Sequence, residues 1–179
     1  QPQGPVCSDV VALQKASSMQ ASIEWVNPYA FLPAIAPHVA AENTGVYIDL
    51  EHIRKAFLAL AKCADVVVVE GVGGFRVPLN TCQDTADLAR LLGLPVVLVV
   101  GMRLGCLNHA LLTADAIRAQ GLTLAGWVAN RIDPEMKCFE PNLEALRQRI
   151  GAPLLGVVEH ENAPDPARIA HCLRLPQLE

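Results

Sequence analysis

Positive charge is scarce in this chain, and nowhere is it gathered. Its 14 lysines and arginines are outnumbered by 18 aspartates and glutamates, for a formal charge of -4. Lys15, Lys55, Lys62 and Lys137 stand far apart. Without a basic stripe to neutralise phosphates, a nucleic-acid or anionic-membrane partner is argued against. Zinc-ligand spacing is also missing: the six cysteines, at positions 7, 63, 82, 106, 138 and 172, contain no Cys-x-x-Cys pair. They read as reduced thiols of a cytoplasmic protein. The longest apolar runs, such as Leu94 to Val100, are far too short to span a bilayer, and the polar opening Gln-Pro-Gln-Gly-Pro is no signal peptide. No Gly-x-x-x-x-Gly-Lys-Ser/Thr occurs anywhere, so the usual glycine-lysine phosphate cradle is absent from this sequence. The first residue is Gln rather than Met, and the stretch after it reads like the middle of a protein, so a segment ahead of Gln1 is expected.

Aromatic residues make up only 4% of the chain, against 52% hydrophobic residues in all. Such an aliphatic interior suits helices packed on a parallel sheet, and 179 residues suffice for a single α/β domain with a sizeable core.

The pattern is organised around Asp65-Val66-Val67-Val68-Val69-Glu70-Gly71-Val72-Gly73-Gly74. Four successive β-branched residues predict a short buried strand, here Asp65 to Glu70, covered on both sides. It would deliver the Glu70 carboxylate to the carboxyl edge of an open α/β sheet, where such folds bind ligands. The glycines after it carry no Cβ and let backbone lie against a phosphate or substrate. One carboxylate plus phosphate oxygens is a usual set for Mg²⁺. The plainer reading is a strand-to-loop turn with a solvated glutamate.

Around this stretch the spacing predicts a helix capped by Ser8 or Asp9, an extended piece over Ile23 to Val26, and a short helix from Pro37 with His38 at its entrance. Asp49 is placed to cap a helix over residues 50 to 63 whose core face is Ile53, Phe57, Leu58 and Leu60. A helix from about Asp84 to Leu92, stopped by Gly93 and Pro95, then leads to a second strand, Val96 to Val100. Strand, glycine loop, helix and strand make a βαβ unit. A helix capped by Asn108 and running to Gln120, strands at Leu122 to Ala129 and Leu154 to Val158, a helix at Asn142 to Ile150 and a short one near Ala167 to Leu173 complete the pattern. Free N–H groups at the start of the Asn108 helix offer an anion site; the plainer reading, favoured locally, is ordinary capping. Cys106 and His109 are rejected as a nucleophile pair, since no acid orients the histidine. Asn130, at a strand's carboxyl end, carries an amide able to pair with adenine; the alternative is an ordinary turn asparagine.

Taken together, Glu70-Gly71-Val72-Gly73-Gly74, Leu104-Gly105-Cys106-Leu107-Asn108-His109-Ala110-Leu111-Leu112-Thr113 and Leu124-Ala125-Gly126-Trp127-Val128-Ala129-Asn130 resemble dethiobiotin synthetase. Asn27-Pro28-Tyr29, Ala36-Pro37-His38 and Pro153-Leu154-Leu155-Gly156 fall in the matching order. The resemblance implies a P-loop NTPase-like α/β fold with a mostly parallel sheet flanked by helices, lacking in this chain its N-terminal strand and P-loop. It implies an ATP-dependent cyclo-ligase of biotin biosynthesis. Such an enzyme carboxylates 7,8-diaminopelargonic acid with CO₂, phosphorylates the carbamate with ATP, and closes the ring as the second amine displaces phosphate, giving dethiobiotin, ADP and phosphate.

By the same resemblance Asp9 and Glu70 would hold Mg²⁺, and with Gly73 and Asn130 they would form the nucleotide site. Gly73 and Gly74 would lie against substrate and phosphates. Leu104, Gly105, Leu107 and Asn108 would take the substrate carboxylate of the neighbouring subunit in a homodimer, and Asn130 would read adenine. The family's catalytic lysines and a Lys-Pro-Val-x-Ser-Gly stretch would lie upstream of Gln1, so no catalytic residue is assigned here. The chain alone is then expected to be inactive, and the Asp65 to Glu70 strand to lack its neighbour. Val157-Val158-Glu159-His160 stands where the family usually has a proline near the adenine, and Asp133 completes a pattern like the Asn-Lys-x-Asp that reads guanine. Two rival readings are a different P-loop ATPase, such as a cobyrinate amidase-like ligase or a partition-type ATPase, and a non-catalytic remnant that only dimerises or binds a small acid.

Overall fold

The computed structural model describes residues 8–176; the loop expected over residues 1 to 7, with Cys7, lies outside the described residues. By internal packing the chain divides into two compact units, Gln1–Leu92 and Gly93–Glu179.

The first unit holds α1 (Ser8–Ala16), α2 (Ile23–Val26), α3 (Pro37–Asn43), α4 (Leu50–Ala61) and α5 (Thr85–Leu92). Proline at the first position starts α3, where a missing N–H costs nothing. The Asp49 carboxylate caps α4 by accepting the Glu51 N–H at 2.9 Å. The predicted extended piece at Ile23 to Val26 is instead one helical turn: the Ser22 carbonyl accepts from the N–H groups of Trp25 and Val26, and Ile23 accepts from Asn27. That turn packs on α4, and tertiary contact overrides the extended preference of its β-branched residues. The interior here is Ala41, Ile48, Leu50 and Leu79, lined by Tyr29, Phe31, Ile53, Leu88 and Leu91. The inner face of α4 therefore runs through Leu50, Ile53 and Ala56; Leu58, expected in the core, is 41% exposed.

The largest departure falls on the stretch the sequence is organised around. Asp65 to Glu70 forms no ladder with any described residue, and Val66 and Val68 are 77% and 83% exposed. The predicted buried strand is absent for a physical reason. A strand takes its hydrogen bonds from a neighbour, and β-branched residues alone supply none.

In the second unit the apolar runs do pair. β1 (Val96–Gly101), β2 (Leu124–Asn130) and β3 (Leu154–Val158) make a wholly parallel sheet in the order β1-β2-β3. They are joined by α6 (Cys106–Ala119) and α7 (Phe139–Arg149), and α8 (Pro166–Ala170), capped by Asp165, comes last. Trp127, Ala129, Val100, Met102, Cys106, Ala110, Ala114, Phe139, Leu143, Leu146 and Ile150 belong to one core, with the apolar sides of α6 and α7 against the sheet. The βαβ unit is thus β1-α6-β2, rather than one beginning at Asp65.

Two register shifts decide where the strands end. Val96 pairs with Leu124 but Val97 with Gly126, and Trp127 pairs with Leu154 but Val128 with Gly156. Beyond them Gly101, Asn130 and Val158 stand in one row across the carboxyl edge. Gly126 sits within this tight region: a Cβ there would meet Leu155 at 2.7 Å. Among the described residues no helix is long and apolar enough to cross a membrane.

Candidate functional site

In the first unit, Asp9 lies exposed in the first turn of α1 and accepts from Ser8 Oγ at 3.2 Å. It is a helical residue there. Glu70 is exposed and makes no ion pair among the described residues, and no hydrogen bond joins it to Asp9. No three His, Cys, Asp or Glu side chains cluster among the described residues. Two uncommitted carboxylates still match the chemistry of a hard cation that keeps phosphate and water among its ligands.

Gly73 takes a left-handed conformation, φ +70°, and a Cβ there would press on Val77 at 3.3 Å; around Gly74 a Cβ would meet nothing within 4 Å. Beyond Gly74 the chain is tightly tied. The Thr85 hydroxyl, 8% exposed, accepts the Val77 N–H at 2.9 Å and faces the carbonyls of Phe75 and Gly74 at 2.7 and 3.1 Å. Asp84 Oδ1 caps α5 by accepting from Ala86 and Asp87 N–H, while Asp87 reaches back to accept the Asp84 N–H, a reciprocal capping box. Asp84 Oδ2 meets Arg76 Nε at 2.5 Å. Burial alone would raise the Asp84 pKa, but backbone N–H groups and the Arg76 guanidinium outweigh it and hold the carboxyl below its usual 3.8. Asn80 donates to the Ile48 carbonyl and so ties the loop to the buried core of its own unit.

In the second unit, Leu104 is 96% exposed and Gly105, at φ +93°, is the N-cap of α6. Asn108, predicted as the cap, is instead the third helical residue. The left-handed Gly105 turns the chain earlier than an asparagine cap would need. No side chain caps this end, and the N–H groups of Leu107 and Asn108 have no acceptor among the described residues. They are the orphan donors of a helix start. Leu107 packs toward the core. Cys106 is buried and His109 exposed, with no hydrogen bond between them. Asn130 ends β2 half-buried; its carbonyl takes the Met102 N–H at 2.7 Å, and its side-chain amide has no hydrogen-bond partner among the described residues.

The structure thus places Glu70, Gly73 and Gly74 on one exposed loop of the first unit. It places Leu104, Gly105, Leu107 and Asn108 at one helix start of the second, and Asn130 at the sheet edge. Sequence reasoning missed Thr85, the Arg76–Asp84 pair, and an Arg131–Glu159 pair beside Asn130. The spacing Asp84-x-x-Asp87 was a usable signal for the capping box; nothing local announces the other contacts.

A parallel sheet flanked by helices, with a free asparagine amide at the carboxyl edge where such sheets bind ligands, defines an α/β protein, and a family model described as an AAA domain, of the P-loop NTPase type, matches residues 1–168. The chain is 62% identical over 168 residues to an ATP-dependent dethiobiotin synthetase BioD of Aromatoleum aromaticum, covering 94% of this chain and 75% of the relative. It is 54% identical to the protein of the same name from Nitrosospira multiformis, over 95% of this chain and 75% of that one, and 56% identical to the Janthinobacterium protein, over 90% and 69%. The chain belongs to the family of ATP-dependent dethiobiotin synthetases, which are ligases.

Proposed function

We propose that the protein serves biotin biosynthesis by closing the cyclic urea of dethiobiotin: 7,8-diaminopelargonic acid and CO₂ give a carbamate, ATP phosphorylates it, and the second amine displaces phosphate. The observation that carries this reading is the 62% identity to a dethiobiotin synthetase across 94% of the chain. The geometry supports it. Asn130 has an unengaged amide for the donor-acceptor edge of adenine. The open N–H groups of Leu107 and Asn108, beside Leu104 and Gly105, suit the substrate carboxylate. The left-handed turn at Gly73 and the open space at Gly74 leave room for backbone to meet substrate and phosphates.

Asp9 and Glu70 would hold Mg²⁺, which supplies positive charge opposite the phosphoryl oxygens during transfer. Leu104, projecting almost wholly into solvent beside that helix start, suits a homodimer in which one subunit completes the other's substrate site. The enzyme would work in the cytoplasm. A sequence without Gly-x-x-x-x-Gly-Lys-Ser/Thr lacks the usual means to cradle the transferring phosphates, so this chain by itself is expected to be inactive in phosphoryl transfer.

The test is an assay of the protein as isolated from its natural source with ATP, Mg²⁺, bicarbonate and the diamine, reading dethiobiotin by mass. Dethiobiotin should form, and Glu70→Gln should depress Mg²⁺-dependent turnover by about 10² or more, the scale of lost charge stabilisation in a transition state. Turnover unchanged by Glu70→Gln would remove Glu70 from the metal site, whereas ATP hydrolysis that ignores the diamine would favour a different P-loop ATPase.

A further inference from the structure

The carboxyl edge of the sheet in the second unit carries a side chain the proposed mechanism does not use. Arg131 stands next after Asn130, and its backbone N–H already bonds the Val158 carbonyl at 2.8 Å. Its guanidinium then spreads over three further pieces of chain. Nη1 pairs with Glu159 Oε2 at 3.1 Å, just past the end of β3, and Nη2 donates to the Pro134 carbonyl at 3.2 Å, in the loop after β2. The guanidinium carbon lies 4.8 Å from the ring centre of Phe139, the first residue of α7. Nε is buried without a partner among the described residues. A buried donor left unpaired is unfavourable, so the group is held by its other contacts.

The loop so held contains the one residue that would complete a guanine-reading pattern with Asn130. Asp133 is half-buried and tied to its own turn: its Oδ1 accepts the Glu135 N–H at 3.0 Å, and its N–H reaches the Met102 carbonyl at 3.4 Å. With Oδ1 engaged there and only Oδ2 left open, the carboxylate is held to its own turn and is not free to present both oxygens to the paired N–H groups of guanine, while Asn130 is left with its amide free. Arg131, by fixing the Pro134 carbonyl one residue on, keeps that turn closed.

We propose that Arg131, braced by Glu159, is a positioning residue for nucleobase selection: it locks the Asn130–Pro134 loop so that adenine is read and guanine is not. The inference rests on Asn130 being the base reader of the proposed function. A planar fork is required, because lysine keeps the charge but cannot hold the Glu159 carboxylate and the Pro134 carbonyl in the same geometry.

The test is titration of the full chain with ATP and, separately, with GTP, monitored by nuclear magnetic resonance of the Asn130 side-chain amide, which reads affinities down to the millimolar range. Thermal unfolding of each variant is recorded alongside. Arg131→Met should lower the ratio of ATP to GTP affinity by about tenfold, the worth of one well-placed base contact, with Arg131→Lys and Glu159→Gln between it and the parent. A parent chain that binds both nucleotides while Arg131→Met keeps the same ratio overturns the inference and leaves Asn130 its role. So does equal weakening of both nucleotides in step with a lower melting temperature, which is what a merely structural residue would give. If Arg131→Met does not fold, Glu159→Gln, which removes one charge and no volume, decides by the same ratio. If the parent binds neither nucleotide, the same ratio is read with adenosine and guanosine, which need no phosphate cradle; an Asn130 amide unmoved by both nucleosides overturns the Asn130 reading itself, and the role of Arg131 with it.

Discussion

Val66 to Val69 and Val96 to Val100 are nearly the same sequence with opposite outcomes. The second lies in a ladder with β2, its Val100 in a core of buried residues, while the first is unpaired, with two of its side chains more than three-quarters exposed. Composition does not distinguish them; the neighbour does. A β-branched run becomes a strand when a second backbone accepts and donates alongside it, and the second unit provides that backbone within its own residues. The first unit is held together by caps, a tied loop and a small core, and the second by a sheet with helices packed on it.

The sharpest way to break this contrast is at Trp127, fully buried under the helices of the second unit. Trp127→Ala should cost about 3–5 kcal/mol in a urea unfolding transition. A much smaller loss would mean the sheet is not the stable half. Next is Thr85, whose hydroxyl organises the loop of the first unit. Thr85→Val should cost about 1–3 kcal/mol by leaving buried backbone groups unpaired, and Thr85→Ser should recover most of it. A Thr85→Ser variant less stable than Thr85→Val would show that the methyl group, rather than the hydroxyl, matters.

A smaller effect is expected from pH. Because the folded state depresses the Asp84 pKa, its stabilisation is present above the unfolded pKa, close to 4, and is lost as pH falls through the folded value. Stability measured from pH 5 down to 2 should therefore fall less steeply in Asp84→Asn than in the parent. Parallel curves would detach Asp84 from the acid transition. At the bottom of the range, Val68→Thr should change stability by no more than about 0.5 kcal/mol, since its side chain is already in water. A loss of several times that would show that Val66 to Val69 has a partner in solution.

Much of the chain was legible where the signal is local. Leu154 to Val158 is a strand with the predicted bounds, and Pro37 and Asp49 mark the starts of α3 and α4, because a proline's fixed φ and a carboxylate cap act within one turn. The misses are where the deciding partner is remote or the backbone is left-handed. Gly105 and Cys138 take positive φ and start α6 and α7 two and three residues before the predicted points. The place of Asn130 at a strand's carboxyl end was legible from the apolar run before it. Arg131 was missed because its acid lies 28 residues on, a distance only the sheet closes.

The two register shifts carry a consequence for how this site tolerates changes in chain length. β2 against β1, and β3 against β2, each absorb one extra residue on the amino side of the row that contains Gly101, Asn130 and Val158. An insertion or deletion ahead of a shift can be taken up there, leaving the row in register. One placed between Val128 and Asn130 has no such slack, and since side chains alternate faces, it would turn the asparagine amide to the opposite side of the sheet. Length variants made by single-codon insertion should thus fall into two groups, tolerated ahead of Gly126 and silent in nucleotide binding after Val128.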